Sequence, residues 1–298
     1  PQEISLMKEG AAYISYMYAY QYPEVVAAFN AKRISSFSMD AVPRISRAQK
    51  MDALSSQANL AGYKAVLLGA NYLGKIFPLL MTASGTITPA RVLIFGAGVA
   101  GLQAIATAKR LGAVVECTDV RPETKEQVES LGGRYLSVEG AEGVKTEGGY
   151  AREVSAEYLE KQQQLIREKI KDADLVITTA LVMGKKSPIL VTEDMVKSMK
   201  AGSVIVDMAV ESGGNCAISE KNATVVKHGV TLVGESNLPS LLPVNASQLY
   251  ATNISTLAFH LVGETGITLD LEDEITKGVL ITHQGELVHA FTKQILSQ

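Results

Sequence analysis

The sequence predicts an α/β protein with two domains, each built around a parallel sheet. Three observations support this fold class. Segments typical of buried strands alternate with helical segments, a glycine-rich turn joins one such strand to a helix, and 298 residues are enough for two cores. The composition, 47% hydrophobic and 20% charged, is that of an ordinary globular chain.

Composition also argues against several classes of function. The formal net charge is −3 and no basic run occurs, so we do not expect nucleic acid as a partner. The two cysteines, Cys117 and Cys216, lack CxxC or metal-ligand spacing, which predicts free thiols, a reducing compartment and no metal site. No apolar run reaches the roughly 18 residues of a membrane-spanning helix, and no signal peptide opens the chain. We therefore expect no direct membrane insertion, and the start at Pro1 suggests a piece of a longer polypeptide.

The first domain opens with a predicted helix at 23–33 and a predicted strand at 34–40. One long amphipathic helix is predicted from Ser46 toward Gly74, because polar and apolar residues recur on opposite sides at spacings of three and four. The glycine, threonine and proline residues of 82–90 indicate a boundary. The predicted domains are a discontinuous first domain, 1–88 completed by a helical segment at 238–298, and a second domain, 89–237.

A nucleotide-binding fingerprint begins the second domain. The strand RVLIF (91–95) precedes Gly96, Gly98 and Gly101 in GxGxxG spacing, and a helical segment then leads to the strand AVVECTD, which ends at Asp119. Glycines at this turn let the backbone approach a pyrophosphate, and the helix N-terminus supplies unpaired N–H groups. A Rossmann-like domain that binds a dinucleotide is the favoured interpretation. The alternative is a glycine turn required only for close packing.

Asp119 indicates which dinucleotide binds. It lies 18 residues after Gly101, where a carboxylate accepts hydrogen bonds from both hydroxyls of the adenosine ribose. The same negative charge repels the 2′-phosphate of NADP. Arg121, two residues further on, offers a charge that could hold such a phosphate, so the sequence favours NAD and leaves NADP open.

Further strands of the second domain are predicted at 174–180, 203–209 and 230–234, the last of which is expected to close the sheet. Ligands of open α/β sheets bind beyond the carboxyl ends of the strands. The residues expected there, near the cofactor, are Thr179, Ala180, Leu181 and the loop 209–215.

A polar, glycine-rich loop, EGAEGVKTEGGY (139–150), precedes a charged helical segment. Loops of this length either close over a ligand or are uninvolved surface excursions, and the sequence leaves both open. Tyr150 is the one aromatic residue in this loop and is the candidate contact with a nucleotide.

No obvious acid–base group accompanies the fingerprint. A dehydrogenase that oxidises a hydroxyl or an amine moves a proton as well as a hydride, yet all four histidines come late, from His228 onward, and are expected to be surface or core residues. Arg44, Gln49, Asp52 and Ser55 supply charge and hydrogen bonds instead, a set suited to positioning a neutral amide or a ribose. The alternative is a solvated helix face with an Arg–Asp pair.

Five stretches of the chain closely resemble one family, the NAD(H)-binding component (domain I) of proton-translocating NAD(P)+ transhydrogenase. They are PRISRAQKMDALSSQANLAGYKAV, RVLIFGAGVAGLQAIATAKRLGA, TDVRPETKEQVESLGG, GSVIVDMAVESGGNC and LPSLLPVNASQLYATN. RISRAQ followed by MD and SSQ, upstream of a TDVR unit, distinguishes this component from the related alanine dehydrogenases. The resemblance implies two Rossmann-like domains with parallel sheets, the first discontinuous and lacking its N-terminal part, and a homodimer.

The same resemblance implies an activity. NAD(H) bound to this chain would exchange a hydride directly with NADP(H) on a separate component, coupled to proton translocation by a membrane-spanning component. A soluble domain at the cytoplasmic or mitochondrial-matrix-type face of a membrane is then expected. Hydride transfer between two nicotinamides removes no proton, which accounts for the missing base, and leaves positioning as the task of the protein.

Site residues follow from the resemblance as well. Arg44, Gln49, Asp52 and Ser55 would line the nicotinamide end, with Gln49 nearest to the transfer. The expected cofactor-binding residues are Gly96, Gly98, Val99, Gly101, Asp119, Val120, Tyr150, Thr179, Ala180 and Leu181, with Tyr150 on a mobile loop that closes over the nucleotide. The chain departs from the family pattern at Met183, Lys186 and Leu241.

Two other classes of function stay open. An alanine dehydrogenase-like, NAD-dependent oxidoreductase shares the fold but needs a group that moves a proton, and residues 1–90 contain no histidine. A non-catalytic NAD-binding regulator would bind the nucleotide without transferring a hydride.

Overall fold

A computed structural model describes residues 2–137, 145–147, 150–153, 156–182, 184, 186–263, 266–267 and 269–297. The chain divides into two compact units. The smaller unit combines Pro1–Gln57 with Val244–Gln298, and the larger unit is Ala58–Pro243. These limits differ from the predicted 88/89 and 237/238, because the helix that crosses the first limit contributes Ala65 and Val66 to the core of the larger unit.

The helices alternate with strands along most of the chain, as predicted. In chain order the helices are α1 Gln2–Ser5, α2 Pro23–Ala31, α3 Ala53–Tyr72, α4 Val99–Arg110, α5 Lys125–Ser130, α6 Ala156–Lys169, α7 Glu193–Lys197, α8 Pro243–Leu261, α9 Glu274–Val279 and α10 Ala290–Leu296. The strands are β1 Ala12–Ser15, β2 Ser35–Ser38, β3 Leu80–Thr82, β4 Gly85–Ile87, β5 Arg91–Phe95, β6 Val114–Thr118, β7 Arg134–Tyr135, β8 Lys145–Glu147, β9 Tyr150–Glu153, β10 Leu175–Thr178, β11 Val204–Asp207, β12 Thr224–Lys227, β13 Val230–Val233, β14 Val262–Gly263, β15 Gly266–Ile267, β16 Leu280–His283 and β17 Glu286–Leu287.

The larger unit contains a seven-stranded sheet in the order β12-β13-β11-β10-β5-β6-β7. Every pair is parallel except β12–β13. Successive residues of the central strands enter two different cores, with Ile94 and Ile177 in one and Phe95 and Val176 in the other. Both faces of the sheet are therefore covered, which explains why these strands read as continuous apolar runs in the sequence.

One edge of this sheet was wrong in the prediction, which made 230–234 the closing strand. β12 lies outside β13 and pairs with it antiparallel. The two strands are joined by His228 and Gly229, both at positive φ (53° and 76°), the backbone pattern of a two-residue hairpin turn of type I′. Because β12 alternates exposed and half-buried residues, it does not resemble the buried strands that the hydrophobic pattern detects.

The smaller unit has a four-stranded sheet in the order β1-β2-β16-β17. The β1–β2 pair is parallel, as predicted, whereas β2–β16 and β16–β17 are antiparallel, so the sheet is mixed. A two-residue turn at Gln284 and Gly285, again with positive φ values of 51° and 91°, reverses the chain between β16 and β17. The C-terminal segment thus supplies two strands that complete the sheet started by β1 and β2.

The long helix predicted from Ser46 is instead two elements. Residues Ser46–Met51 form a 3₁₀ helix, and α3 starts only at Ala53. The break lies at Asp52, whose carboxylate Oδ1 accepts a hydrogen bond of 2.9 Å from the backbone N–H of Ser55. An aspartate in this arrangement caps a helix N-terminus, and it stops the preceding turn from continuing as α-helix.

Two segments predicted as loops contain short hairpins. β3 and β4 pair within the predicted boundary segment, and their residues are exposed. β8 and β9 pair within and just after the predicted loop 139–150. The remaining residues of that loop lie outside the described part of the chain.

Candidate functional site

The glycine turn between β5 and α4 has the geometry that its spacing predicted. Gly96 has a φ of +101°, in the region that favours glycine. A Cβ added at Gly101 would overlap the backbone carbonyl oxygen of Gly96, so the first turn of α4 packs directly against the end of β5. Only glycine at position 101 permits this approach, and the approach fixes where the helix N-terminus points.

Gly98 differs from the other two glycines because it faces open space. The nearest atom to a Cβ added there is Nη2 of Arg121, at 3.9 Å. Gly98 is also the N-cap residue of α4 and provides no side-chain cap, which leaves the first N–H groups available, next to a partly exposed Val99. A cradle of this kind, at the positive end of a twelve-residue helix, fits a pyrophosphate.

Asp119 follows β6 and is buried, with 6% of its surface exposed. Its Oδ2 accepts a hydrogen bond from the backbone N–H of Ala97 (2.6 Å) and from Nη2 of Arg121 (2.8 Å). Its Oδ1 accepts from the backbone N–H (2.8 Å) and Nε (2.9 Å) of Arg121. This hydrogen-bonded pair raises the pKa of the Arg121 guanidinium above its ordinary value. The carboxylate therefore lies beside the glycine turn, as predicted, and is held by an arginine.

The turn that carries Asp119 and Arg121 is held by side chains from its own domain. The hydroxyl of Tyr135 donates to the carbonyl oxygen of Asp119 (2.7 Å), and the hydroxyl of Thr124 donates to that of Arg121 (2.8 Å). Burial raises the pKa of Tyr135 to about 12, so this hydroxyl keeps its proton throughout the neutral range. Val120, between them, is half-buried. The backbone of the turn is consequently fixed independently of where the Arg121 side chain lies.

The loop after β10 runs beside the glycine turn. Thr179 Oγ1 donates to the carbonyl oxygens of Phe95 (3.0 Å) and Gly96 (3.3 Å). Both backbone polar groups of Ala180 are bound by Asn215, whose Oδ1 accepts from Ala180 N (3.0 Å) and whose Nδ2 donates to Ala180 O (2.9 Å). Thr179 and Ala180 are thus fixed in place, while the Leu181 side chain is exposed.

Asp207, at the end of β11, organises the next loop. It is fully buried and accepts hydrogen bonds from Thr178 Oγ1 (3.0 Å) and from the backbone N–H groups of Ala209 (3.1 Å), Asn215 (3.0 Å) and Cys216 (2.9 Å). A buried carboxylate is costly unless donors surround it, and here they are supplied by the loop 208–216. Asp207 therefore fixes the loop that carries Asn215, and Asn215 in turn fixes the loop after β10.

In the smaller unit, two of the four residues predicted to contact nicotinamide bond each other. Ser55 Oγ donates to Asp52 Oδ2 at 2.5 Å, in addition to the cap described above. Arg44 and Gln49 are exposed, Gln49 on the 3₁₀ turn Ser46–Met51. Asp52 and Ser55 accordingly have a structural role, and Gln49 and Arg44 present polar groups at the surface of their unit.

The histidines are accounted for by local partners. The hydrogen-bonded pairs are His228 with Glu193, His260 with Asp273, His283 with Ser35, and His289 with Thr292. Asp273 also pairs with Arg47 at 3.1 Å, so the Arg–Asp pair that the sequence left as an alternative involves these residues. Cys117 and Cys216 are free thiols, as predicted, and burial raises the pKa of each.

Some predicted positions carry less information. The side chain of Tyr150 and the whole of Met183 lie outside the described part of the chain. Lys186 packs its aliphatic stem against Gly213, and Leu241 is exposed. Within the described residues, no group of His, Cys, Asp and Glu could hold a metal ion, and no helix has the length and apolarity that crossing a bilayer requires.

Comparison with known proteins agrees with this geometry. Residues 1–61 match the model for the alanine dehydrogenase/PNT N-terminal domain, and residues 65–290 match that for the alanine dehydrogenase/PNT C-terminal domain. The chain belongs to this family.

Within the family, the chain is more similar to transhydrogenases than to the alanine dehydrogenases it matches. It is 51% identical over 291 residues to the first of the polypeptides that make up NAD(P) transhydrogenase subunit alpha of Rhodospirillum rubrum, covering 96% of this chain and 76% of that protein. The crystal structure of transhydrogenase from Sinorhizobium meliloti matches with a TM-score of 0.87 at 46% identity, covering 96% of this chain and 78% of that one. Alanine dehydrogenase 2 of Staphylococcus aureus is 30% identical over 269 residues, 87% of this chain and 66% of that protein.

Asn215 is the residue at this family site that the sequence did not single out, and its role is testable. Replacing Asn215 with alanine removes the acceptor of the Ala180 N–H, so hydrogen exchange at Ala180 should accelerate by roughly ten- to a hundredfold, the loss of about 1.4 to 2.7 kcal/mol of protection. Exchange at Val176, inside β10, should change little. Asn237→Ala makes the same substitution at an exposed position and should leave Ala180 unaffected. Unaltered exchange at Ala180 in the Asn215 variant would show that Asn215 does not hold this loop.

Proposed function

We propose that this chain is the NAD(H)-binding component of a proton-translocating NAD(P)+ transhydrogenase. It would exchange a hydride directly between NADH and NADP+ held on a separate component, coupled to proton translocation by a membrane-spanning component. The observation that carries the proposal is the glycine turn with a buried carboxylate at the end of the next strand, in a chain 51% identical to a named transhydrogenase subunit.

Residues of the larger unit would bind the dinucleotide. The open cradle at Gly98 and the uncapped N-terminus of α4 suit a pyrophosphate, and Asp119 suits the hydroxyls of the adenosine ribose. We infer further contacts from Val99, Val120, Thr179, Ala180, Leu181 and Tyr150. The negative charge of Asp119 favours NAD over NADP, because a 2′-phosphate would lie against a carboxylate.

The residues of the RISRAQ segment, 44–49, and the cap that follows it are proposed to position the nicotinamide. Bound NADH supplies the hydride itself, and transfer to a second nicotinamide needs no acid or base from the protein. The exposed amide of Gln49 and guanidinium of Arg44 offer orientation by hydrogen bonding. Asp52 and Ser55 hold the turn that presents them.

Partners are also included in the proposal. The β3–β4 hairpin and the residue before it expose Leu79, Leu80, Met81 and Ile87, an apolar surface suited to a second copy of the chain, and this supports a homodimer. We infer that the domain works at the cytoplasmic or mitochondrial-matrix-type face of a membrane, beside the NADP-binding and membrane-spanning components.

The activity has a direct test. NADH deuterated at the transferring carbon and bound to this chain should pass its label to NADP+ when a purified NADP-binding transhydrogenase component is added. Mass spectrometry of the NADPH formed measures the transfer. Binding of NADH with no label in NADPH would favour a regulator instead, and oxidation of NADH by pyruvate and ammonium would favour an alanine dehydrogenase.

Nucleotide preference tests the role of Asp119. NADH should bind at least about tenfold more tightly than NADPH, and Asp119→Ala should narrow the gap, because the ribose loses a charged acceptor and the 2′-phosphate loses a repulsive neighbour. Calorimetric titration of both nucleotides measures the ratio. Glu126→Ala removes an exposed carboxylate from the following helix and should leave the ratio unchanged. Equal affinity of the wild type for both nucleotides would contradict the assignment.

Gln49 tests the proposed positioning. Gln49→Asn keeps the amide but withdraws it by one methylene, so NADH affinity should change little, whereas transfer should slow on the order of a hundredfold, or about 2.7 kcal/mol. Single-turnover label transfer and a separate dissociation constant distinguish the two effects. Gln127→Asn makes the same change at an exposed position on α5. Transfer at the wild-type rate would remove Gln49 from the mechanism, and an equal loss of affinity would assign it to binding alone.

A further inference from the structure

The Asp119 carboxylate is fully engaged by donors of its own chain. Each carboxylate oxygen accommodates about two hydrogen bonds, and here Oδ1 accepts from Arg121 N and Nε while Oδ2 accepts from Ala97 N and Arg121 Nη2. The carboxylate side chain is 5% exposed. A ribose diol that donates to both oxygens must therefore replace two existing donors.

Two of these four donors cannot leave without disturbing the fold. The N–H of Ala97 belongs to the glycine turn, and the N–H of Arg121 belongs to the turn that Tyr135 and Thr124 hold through backbone carbonyls. Nε and Nη2 of Arg121 lie on a side chain, which rotates away without moving the backbone. The guanidinium also donates to both oxygens side by side, the same pattern that a ribose diol makes.

A second partner for the guanidinium lies close by. Arg121 Nη2 is the nearest atom to the open position beside Gly98, 3.9 Å from a Cβ built there. This is the cradle at the uncapped N-terminus of α4, where a pyrophosphate fits. Arginine binds phosphate oxygens bidentately, so a guanidinium that leaves Asp119 finds an anion within a short rotation.

We propose that Arg121 is an exchangeable ligand of Asp119: its guanidinium occupies the ribose position before nucleotide binds, and then moves to the pyrophosphate. The inference rests on the proposed function, because it takes a dinucleotide as the ligand of this site. It makes Arg121 a binding residue with opposite effects on two portions of one ligand. Arg121 competes with the ribose and attracts the phosphates.

These opposite effects give the test. Arg121→Met keeps the aliphatic stem and removes every donor. Adenosine, which has the diol and no phosphate, should bind about three- to tenfold more tightly to the variant, and its advantage over 2′,3′-dideoxyadenosine should widen. ADP, which loses a charged partner for its phosphates, should bind about tenfold more weakly. NMR titration of the whole 298-residue chain measures these affinities.

Arg134→Met is the matched control. Arg134 lies on the neighbouring strand β7, is 73% exposed and pairs with Glu116 at 3.5 Å, so the substitution removes the same charge without touching Asp119. Neither adenosine nor ADP should change by more than about twofold. In the wild type, the Nε–H resonance of Arg121 should shift on addition of ADP, which provides a measurement that does not depend on the folding of a variant.

Two results for the Arg121 variant would overturn the exchange. Equal weakening of adenosine and ADP would give Arg121 a purely structural role, and weakening of ADP with adenosine unchanged would make it a phosphate ligand that never blocks the ribose. Both leave the proposed function intact, provided the wild type binds NADH. Failure of the wild type to bind NADH or ADP at all would overturn the proposed function together with this inference.

Discussion

The close approach of Gly101 to the carbonyl oxygen of Gly96 is the constraint on which the candidate site depends. Because no side chain separates them, α4 starts directly at the end of β5, and its unpaired N–H groups converge on the space beside Gly98. The carboxyl ends of β6, β10 and β11 lie at the same edge of the sheet, since all these strands are parallel. Asp119, Thr179 and the loop 208–216 are brought to that edge by topology alone.

Buried carboxylates give this edge its rigidity. Asp207 and Asp119 are both buried and both accept backbone N–H groups from the loops that surround them. They differ in one respect that matters for function. Asp207 is surrounded by donors that belong to the fold, whereas two donors to Asp119 come from a side chain that rotates, so Asp119 is the carboxylate that a ligand can share.

The sequence predicted those features of the structure that depend on local spacing. The βαβ unit with Gly96, Gly98, Gly101 and Asp119 was recognisable because strand, turn and helix are consecutive and each glycine has a steric reason. What it could not supply depends on contacts between distant segments. The engagement of Asp119 by Arg121, the hold of Asn215 on Ala180 and the placement of β12 at the sheet edge all require the folded chain. The break at Asp52 was missed for another reason: an aspartate within an amphipathic pattern reads equally well as a polar face or as a cap.

That break links the structural and functional interpretations of the RISRAQ segment, which the sequence presented as alternatives. Asp52 and Ser55 are satisfied by each other and by the helix terminus. The same cap ends the 3₁₀ turn at Met51, and the turn determines the direction in which Gln49 presents its amide. Capping and ligand positioning are therefore successive steps of one arrangement. Loss of the Asp52 carboxylate would act on a ligand through the orientation of Gln49, in a chain whose proposed chemistry requires orientation and no proton transfer.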